Sequence, residues 1–281
     1  MPDDDAAALP QATRRVAARR HGSGGPPRDA GVGDDDRREM VAEETPVALS
    51  YNGRSYAVMM ASPTDLVDFA VGFSLGEGVV ETADEILATE IVPLPRGVEL
   101  AVTVVESRAL ALRARRRALA GRTGCGLCGV DSIAEALRPI PRLAAATRVA
   151  AASIARAVAA FPADQPLNRL TGATHAAAFA ELDGHILATR EDVGRHNALD
   201  KLIGAAAAAA IDPARGFVVV SSRCSYEMVH KTAAAGIPLI ASVSAPTGLA
   251  VDLAEKVGLG LVAFARDGRF TVYAGADRVI D

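Results

Sequence analysis

Cysteine is scarce in this chain: three in 281 residues. Three thiols cannot all pair, and two of them stand three positions apart. That is the usage of a reduced, intracellular protein rather than of a disulfide scaffold. An excess of basic charge is also missing. Thirty Lys and Arg against 34 Asp and Glu leave a net charge of −4, whereas a general nucleic-acid binder carries a basic surplus. No apolar run reaches the roughly 20 residues that span a bilayer, and Ala205–Ala210 is only a helical alanine tract. The opening Met1-Pro2-Asp3-Asp4-Asp5 lacks the charged-then-apolar order of a secretion signal. Nucleic acid and membrane are therefore not expected as partners, and the cytoplasm is the expected address.

Half of the residues are apolar, enough for one large domain or two modest ones, each with its own core. Residues 1–40 show no sustained apolar period and read as a disordered tail. Residues 41–165 read as a smaller α+β region. Its first signal is Asn52-Gly53 between the apolar runs Thr45–Ser50 and Ser55–Met60, a hairpin. Ser62 and Pro63 then read as N-cap and first residue of a helix, with Leu66, Phe69, Ala70 and Phe73 as its buried stripe. Val98–Val105 reads as a strand and Arg108–Ala120 as a basic helix. Four glycines in Gly121–Gly129 predict a mobile loop around Cys125 and Cys128. A linker helix near Ala146–Phe161 leads to a boundary at Pro162–Pro166.

Residues 166–281 alternate strands and helices, the pattern of a three-layer α/β domain with a mostly parallel core. Hairpins are expected at Asp183-Gly184 and Asp267-Gly268. Such domains bind ligands at the carboxyl ends of their strands, so chemistry is expected after Arg190, Ser221, Val243 and Ala265.

Cys125 and Cys128 carry the sharpest chemistry. A thiolate can accept the outer sulfur of a donor persulfide, hold it as Cys-S-SH, and deliver it on a glycine-rich tether. The arginines upstream, ending at Arg122, favour the thiolate if they fold beside it. Other readings stay open. A zinc knuckle needs four ligands and hence a second subunit. A thioredoxin-type pair needs a preceding strand, and two inert loop cysteines need nothing. The densest polar cluster is Asp192-Val193-Gly194-Arg195-His196-Asn197-Ala198-Leu199-Asp200-Lys201 at a strand-to-helix junction. Arg195 and the helix start suit a phosphate. His196 reads as a base, a stacking ring or a core residue, while Asp200 and Lys201 read as solvated. Ser222 and Arg223 repeat the polar strand-end setting, with Cys224 packed as a small buried residue, Lys231 at the surface and Thr247 as a helix cap or a ligand contact. A zinc deaminase is disfavoured. His196-Asn197-Ala198 and Arg223-Cys224-Ser225-Tyr226-Glu227 lack its catalytic Glu and one of its Cys ligands.

Three stretches resemble the formate dehydrogenase accessory sulfurtransferase family, FdhD. They are Arg122-Thr123-Gly124-Cys125-Gly126-Leu127-Cys128-Gly129, the long motif from Arg190 to Lys201, and Ser242-Val243-Ser244-Ala245-Pro246-Thr247. The similarity runs from about Glu44 to Tyr273. It implies a sulfurtransferase that takes sulfur from a cysteine desulfurase as a cysteine persulfide. That sulfur then passes to the molybdenum cofactor, in its bis(molybdopterin guanine dinucleotide) form, before insertion into formate dehydrogenase. It also implies persulfide on Cys125 with Cys128 as companion, no permanent metal, a homodimer, and a cytidine-deaminase-like C-terminal domain. The cofactor stretch falls on Phe264, Ala265, Arg266, Asp267, Gly268 and Arg269, and Arg195, His196, Ser222 and Arg223 are expected beside it. The alternatives are a non-catalytic cofactor-binding chaperone and a zinc-bridged dimer. Cys224 is an added thiol for which the resemblance offers no role.

Overall fold

The structure, a computed structural model of the chain, describes residues 8–18, 37–112, 139–144 and 147–281. The loop 121–129, with Cys125 and Cys128, lies outside the described residues. The expected tail is not free of order. Strands β1 (Thr13–Ala18) and β2 (Arg37–Ala42) pair antiparallel, Thr13 opposite Ala42. Both are short and carry Arg on exposed positions, so neither shows the apolar alternation that reveals a strand in sequence.

The N-terminal half is built on a four-stranded sheet, order β4-β3-β6-β5, from β3 (Thr45–Tyr51), β4 (Arg54–Ala61), β5 (Ile86–Leu94) and β6 (Gly97–Val104). Asn52 and Gly53 both take positive φ, 47° and 73°, which is the turn that matches strand twist. Helix α1 (Leu66–Gly76) covers one face and buries Leu66, Phe69, Ala70 and Phe73 against Val47, Leu49, Val98 and Leu100. It starts three residues later than the Ser62-Pro63 pair suggests, after Asp65 in the left-handed region. Ser62 is not its cap, because every polar atom of Ser62 is engaged elsewhere, as shown below.

The C-terminal half holds a six-stranded sheet, order β13-β12-β11-β10-β8-β9. Its strands are β8 (His175–Glu181), β9 (Ile186–Asp192), β10 (Gly216–Val220), β11 (Leu239–Ser242), β12 (Gly260–Arg266) and β13 (Arg269–Ala274). A mostly parallel core is not what forms. Only β10-β11 and β11-β12 are parallel. The tight turns at Gly184 and Asp267-Gly268 make β8-β9 and β12-β13 antiparallel, and β10 also pairs antiparallel with β8.

Helices cover both faces. The linker helix α2 begins at Ala151 (Ala151–Ala160), because Val149–Ala150 forms strand β7 against β14 (Val279–Ile280). The short α3 is Pro166–Thr171. Ile154, Ala157 and Phe161 pack on the face made by Ala178, Phe217, Val219, Leu239 and Val262. Helices α4 (Arg195–Ala208), α5 (Tyr226–Ala234) and α6 (Gly248–Val257) pack on the other, against Phe179, Val218, Val220, Ile240 and Leu261. Alternate residues of each strand thus feed two different cores. Strands β9, β10, β11 and β12 end at one common edge.

The halves meet where α1 crosses α4, and two glycines permit the approach. A Cβ on Gly72 would run into the Asp200 carbonyl, and one on Gly204 into that of Asp68. Gly204→Ala should therefore overpack the crossing and cost about 1–3 kcal/mol. Gly248→Ala, where a Cβ meets nothing within 4 Å, should cost nothing. Urea unfolding of both variants checks the difference, and equal stabilities would contradict the crossing.

Candidate functional site

The edge where β9, β10, β11 and β12 end is closed by loops that bind one another. Cys224 N–H donates to the Ala245 carbonyl at 3.1 Å, and Thr247 N–H to the Cys224 carbonyl at 3.0 Å. Ser242 Oγ donates to the Ser222 carbonyl at 2.7 Å. Phe264 N–H reaches the Ser244 carbonyl at 3.1 Å, tying the end of β12 to the same array. Thr247 caps α6, its side chain accepting from Ala250 N–H.

At the β9 end the long polar motif divides into inward and outward residues. Lys201 and Asp192 are fully buried, 0% exposed, with Nζ 2.7 Å from Oδ2. Around this pair every polar atom of Ser62 is used. Its N–H donates to Asp192 Oδ2 at 2.9 Å, its hydroxyl accepts from Val193 N–H at 3.1 Å, and its carbonyl accepts from Lys201 Nζ at 2.9 Å. Asp192 Oδ1 accepts from Gly194 N–H at 2.7 Å and from Asn197 Nδ2 at 3.0 Å. Asn197 Nδ2 also donates to the Met60 carbonyl.

One turn on, Asp200 is buried against Lys231, whose Nζ lies 3.0 Å from Oδ2, 2.9 Å from Oδ1 and 3.1 Å from Glu77 Oε1. The same ammonium sits 5.3 Å from the Phe73 ring centroid. Burial pushes the Asp200 carboxyl up to about 6, against the pull of Lys231. Lys231 is held charged, since Asp200 and Glu77 outweigh its own burial. Reading Asp200, Lys201 and Lys231 as solvated or surface positions is thus overturned. Each pairs with a group on the other half or on a neighbouring helix, which sequence spacing does not reveal.

What faces outward is smaller. Gly194 caps α4 without a side-chain bond. Arg195 follows, and its Nε is buried with no hydrogen-bond partner among the described residues. His196 Nε2 lies 2.8 Å from Glu227 Oε2 and 3.5 Å from Ser225 Oγ. The Glu227 carboxylate is 61% exposed, and its hydrogen bond with His196 lowers its pKa. His175, the first residue of β8 and opposite Asp192 in the ladder, stands beside them.

The remaining candidates differ in how they face the edge. Ser222 is turned inward, donating its hydroxyl to the Arg223 carbonyl, while Arg223 is exposed. Cys224 is completely buried, and burial pushes its thiol up to about 12, so it is a poor nucleophile at neutral pH. In the Phe264–Arg269 stretch, Ala265 packs in the core, whereas Arg266, Asp267, Gly268 and Arg269 are exposed. Phe264 is 41% exposed with φ of 52°, an uncommon backbone for a bulky side chain. Its ring lies 6.4 Å from that of Tyr273. Sequence reasoning did not find His175 or Glu227; a lone His opening a strand and a Glu in a helical first turn give no signal.

Replacing Lys201 by Met should strand the Asp192 charge in the interior and cost about 3–5 kcal/mol. Urea unfolding with an unchanged m-value is the check. A loss below about 1 kcal/mol would return the pair to the weak, solvated class.

With this geometry in hand, comparison with known proteins identifies the chain's relatives. The model of the FdhD/NarQ family matches residues 42–280. The sulfur carrier protein FdhD of Bordetella petrii is 50% identical over 248 residues, covering 88% of this chain and 89% of its own. That of Agrobacterium fabrum is 51% identical over 241 residues, covering 85% and 89%. The crystal structure of a protein from Desulfotalea psychrophila, described as a formate dehydrogenase accessory protein, superposes with a TM-score of 0.71 at 28% identity. It covers 95% of this chain and 98% of its own. The chain belongs to the FdhD/NarQ family.

Proposed function

We propose that this protein is a sulfur carrier that serves the maturation of formate dehydrogenase. The observation that carries this reading is family membership along nearly the whole described chain, with relatives of about 50% identity that bear the name sulfur carrier protein FdhD. In the proposed reaction, the Cys125 thiolate attacks the outer sulfur of a cysteine desulfurase persulfide. A bond forms between Cys125 Sγ and that sulfur, and the donor cysteine leaves as its thiolate. Cys128 is the companion thiol. Cys224 is unsuited to the role, since it is buried and its thiol holds its proton.

The acceptor we propose is the molybdenum cofactor in its bis(molybdopterin guanine dinucleotide) form, as substrate. Its phosphate-rich guanylate arms suit the edge described above. Arg195, Arg223, Arg266 and Arg269 supply cationic donors there, His196 adds a ring nitrogen, and Phe264 offers an exposed ring for a base to stack on. The C-terminal domain would then be a cytidine-deaminase-like scaffold without the zinc chemistry, working in the cytoplasm as a homodimer.

The test is a mass spectrum after incubation with a cysteine desulfurase and cysteine. A gain of one sulfur, about 32 Da, should map to the peptide with Cys125 and disappear in Cys125→Ala. Sulfur on Cys224 alone would overturn the assignment. No uptake at all, with cofactor binding retained, would make the protein a cofactor-binding chaperone. Stoichiometric zinc in the purified protein would favour the bridged dimer.

A further inference from the structure

We propose that His175, Arg195 and His196 form a cradle for a phosphate-class dianion and that His175 takes up a proton when the anion binds. This deepens the function proposed above and rests on it, for the pyrophosphate of a guanylate arm is the anion such a cradle would hold.

The position of His175 is fixed from both sides. Its backbone pairs with Asp192 at the end of β9. The next amide, Ala176 N–H, donates to Ser221 Oγ at 2.9 Å, at the end of β10. The imidazole therefore sits at the strand-end edge, between the two loops that carry the outward polar groups. Its ring makes no hydrogen bond among the described residues. The buried polar side chains just beneath are all committed: Asp192, Asn197 and Lys201 satisfy one another and Ser62. Arg195 joins His175 in lacking a partner, at its buried Nε.

The charges facing His175 are known. Burial comes first in holding its pKa below the ordinary histidine value, and Arg195 and His196 act in the same direction. Only Asp192 opposes them, and that carboxylate already faces Lys201 at 2.7 Å. His196 in turn faces Glu227 and Ser225, with Asp200 below it. The Arg195 guanidinium and the His196 ring thus flank a half-buried imidazole that bonds to no carboxylate among the described residues, so negative charge is in short supply at that ring. A bound dianion supplies it and reverses the sign of the local potential, so the imidazole gains a proton from solvent. Linkage then fixes the direction. Between the free and bound pKa values, anion binding takes up a proton, and affinity rises as pH falls.

Sulfate is the clean probe, being a dianion with no proton of its own to exchange near neutrality. The ring Cε1–H resonance of His175 in the full chain, assigned by its loss in His175→Gln, is titrated from pH 5 to 8.5 with and without sulfate. With sulfate, His175 should titrate at a higher pH. Sulfate should also bind about tenfold more tightly at pH 6 than at pH 8. In His175→Gln, checked for folding by its thermal melt, that pH dependence should flatten. An unmoved His175 titration, or the same pH dependence in the variant, overturns the proposal. A parallel titration with GDP separates the two readings. GDP binding without sulfate-linked protonation removes the cradle and leaves the guanylate acceptor. Sulfate-linked protonation with GDP no tighter than sulfate keeps the cradle and removes the guanylate acceptor.

Discussion

The ion pair between Lys201 and Asp192 is the constraint on which the rest of the candidate site depends. Both side chains are wholly buried, 2.7 Å apart. Taking each charge out of water costs several kcal/mol, and the attraction between them repays this only where the geometry is good and the remaining donors and acceptors are filled. Ser62 does much of that filling, from a chain position more than a hundred residues away. The pair is therefore better understood as a specificity device than as a source of stability. Only one placement of the N-terminal half on α4 satisfies it, and the contact of Gly72 and Gly204 with the opposite helix demands the same placement.

That placement explains how a single ten-residue motif does two jobs. Asn197, Asp200 and Lys201 lie on the side of α4 that faces the junction, at the spacings that share a helix face. Arg195 and His196 open the helix and are left at the strand-end edge. The inward residues hold the helix start still, and the outward ones gain a fixed position for a ligand. Arg190, with Nε 2.8 Å from Asp68 Oδ2, adds a further tie between β9 and α1. The second buried cluster, Asp200 with Lys231 and Glu77, extends the same junction to α5.

Much of the fold was legible because its signals are local. Asn52-Gly53, Asp183-Gly184 and Asp267-Gly268 announced their hairpins by backbone chemistry alone. The buried stripe of α1 followed from the helical period. The failures among the charged residues share a cause, the default that charges face water. Lys201, Asp200 and Lys231 break it because their partners come from distant segments. Ser62 looked like a cap because Ser-Pro is a good local signal, yet long-range bonds claimed all of its polar atoms. The mixed direction of the large sheet was hidden differently. Strand β8 inserts between β9 and β10, an order that alternation of elements does not encode. At the site, the arginine beside a helix start was readable, whereas His175 depends on register and had no sequence mark.

The central claim is that the two halves are one cooperative unit that fixes the ligand edge. Hydrogen exchange at two amides tests it most directly: Ser62 N–H, which donates to Asp192, and Val193 N–H, which donates to Ser62 Oγ. Both should exchange only through global unfolding, with the same free energy as the core amides of β10 and β11. Faster exchange of either one while β10 and β11 stay protected would show that the junction opens on its own, and would contradict the account.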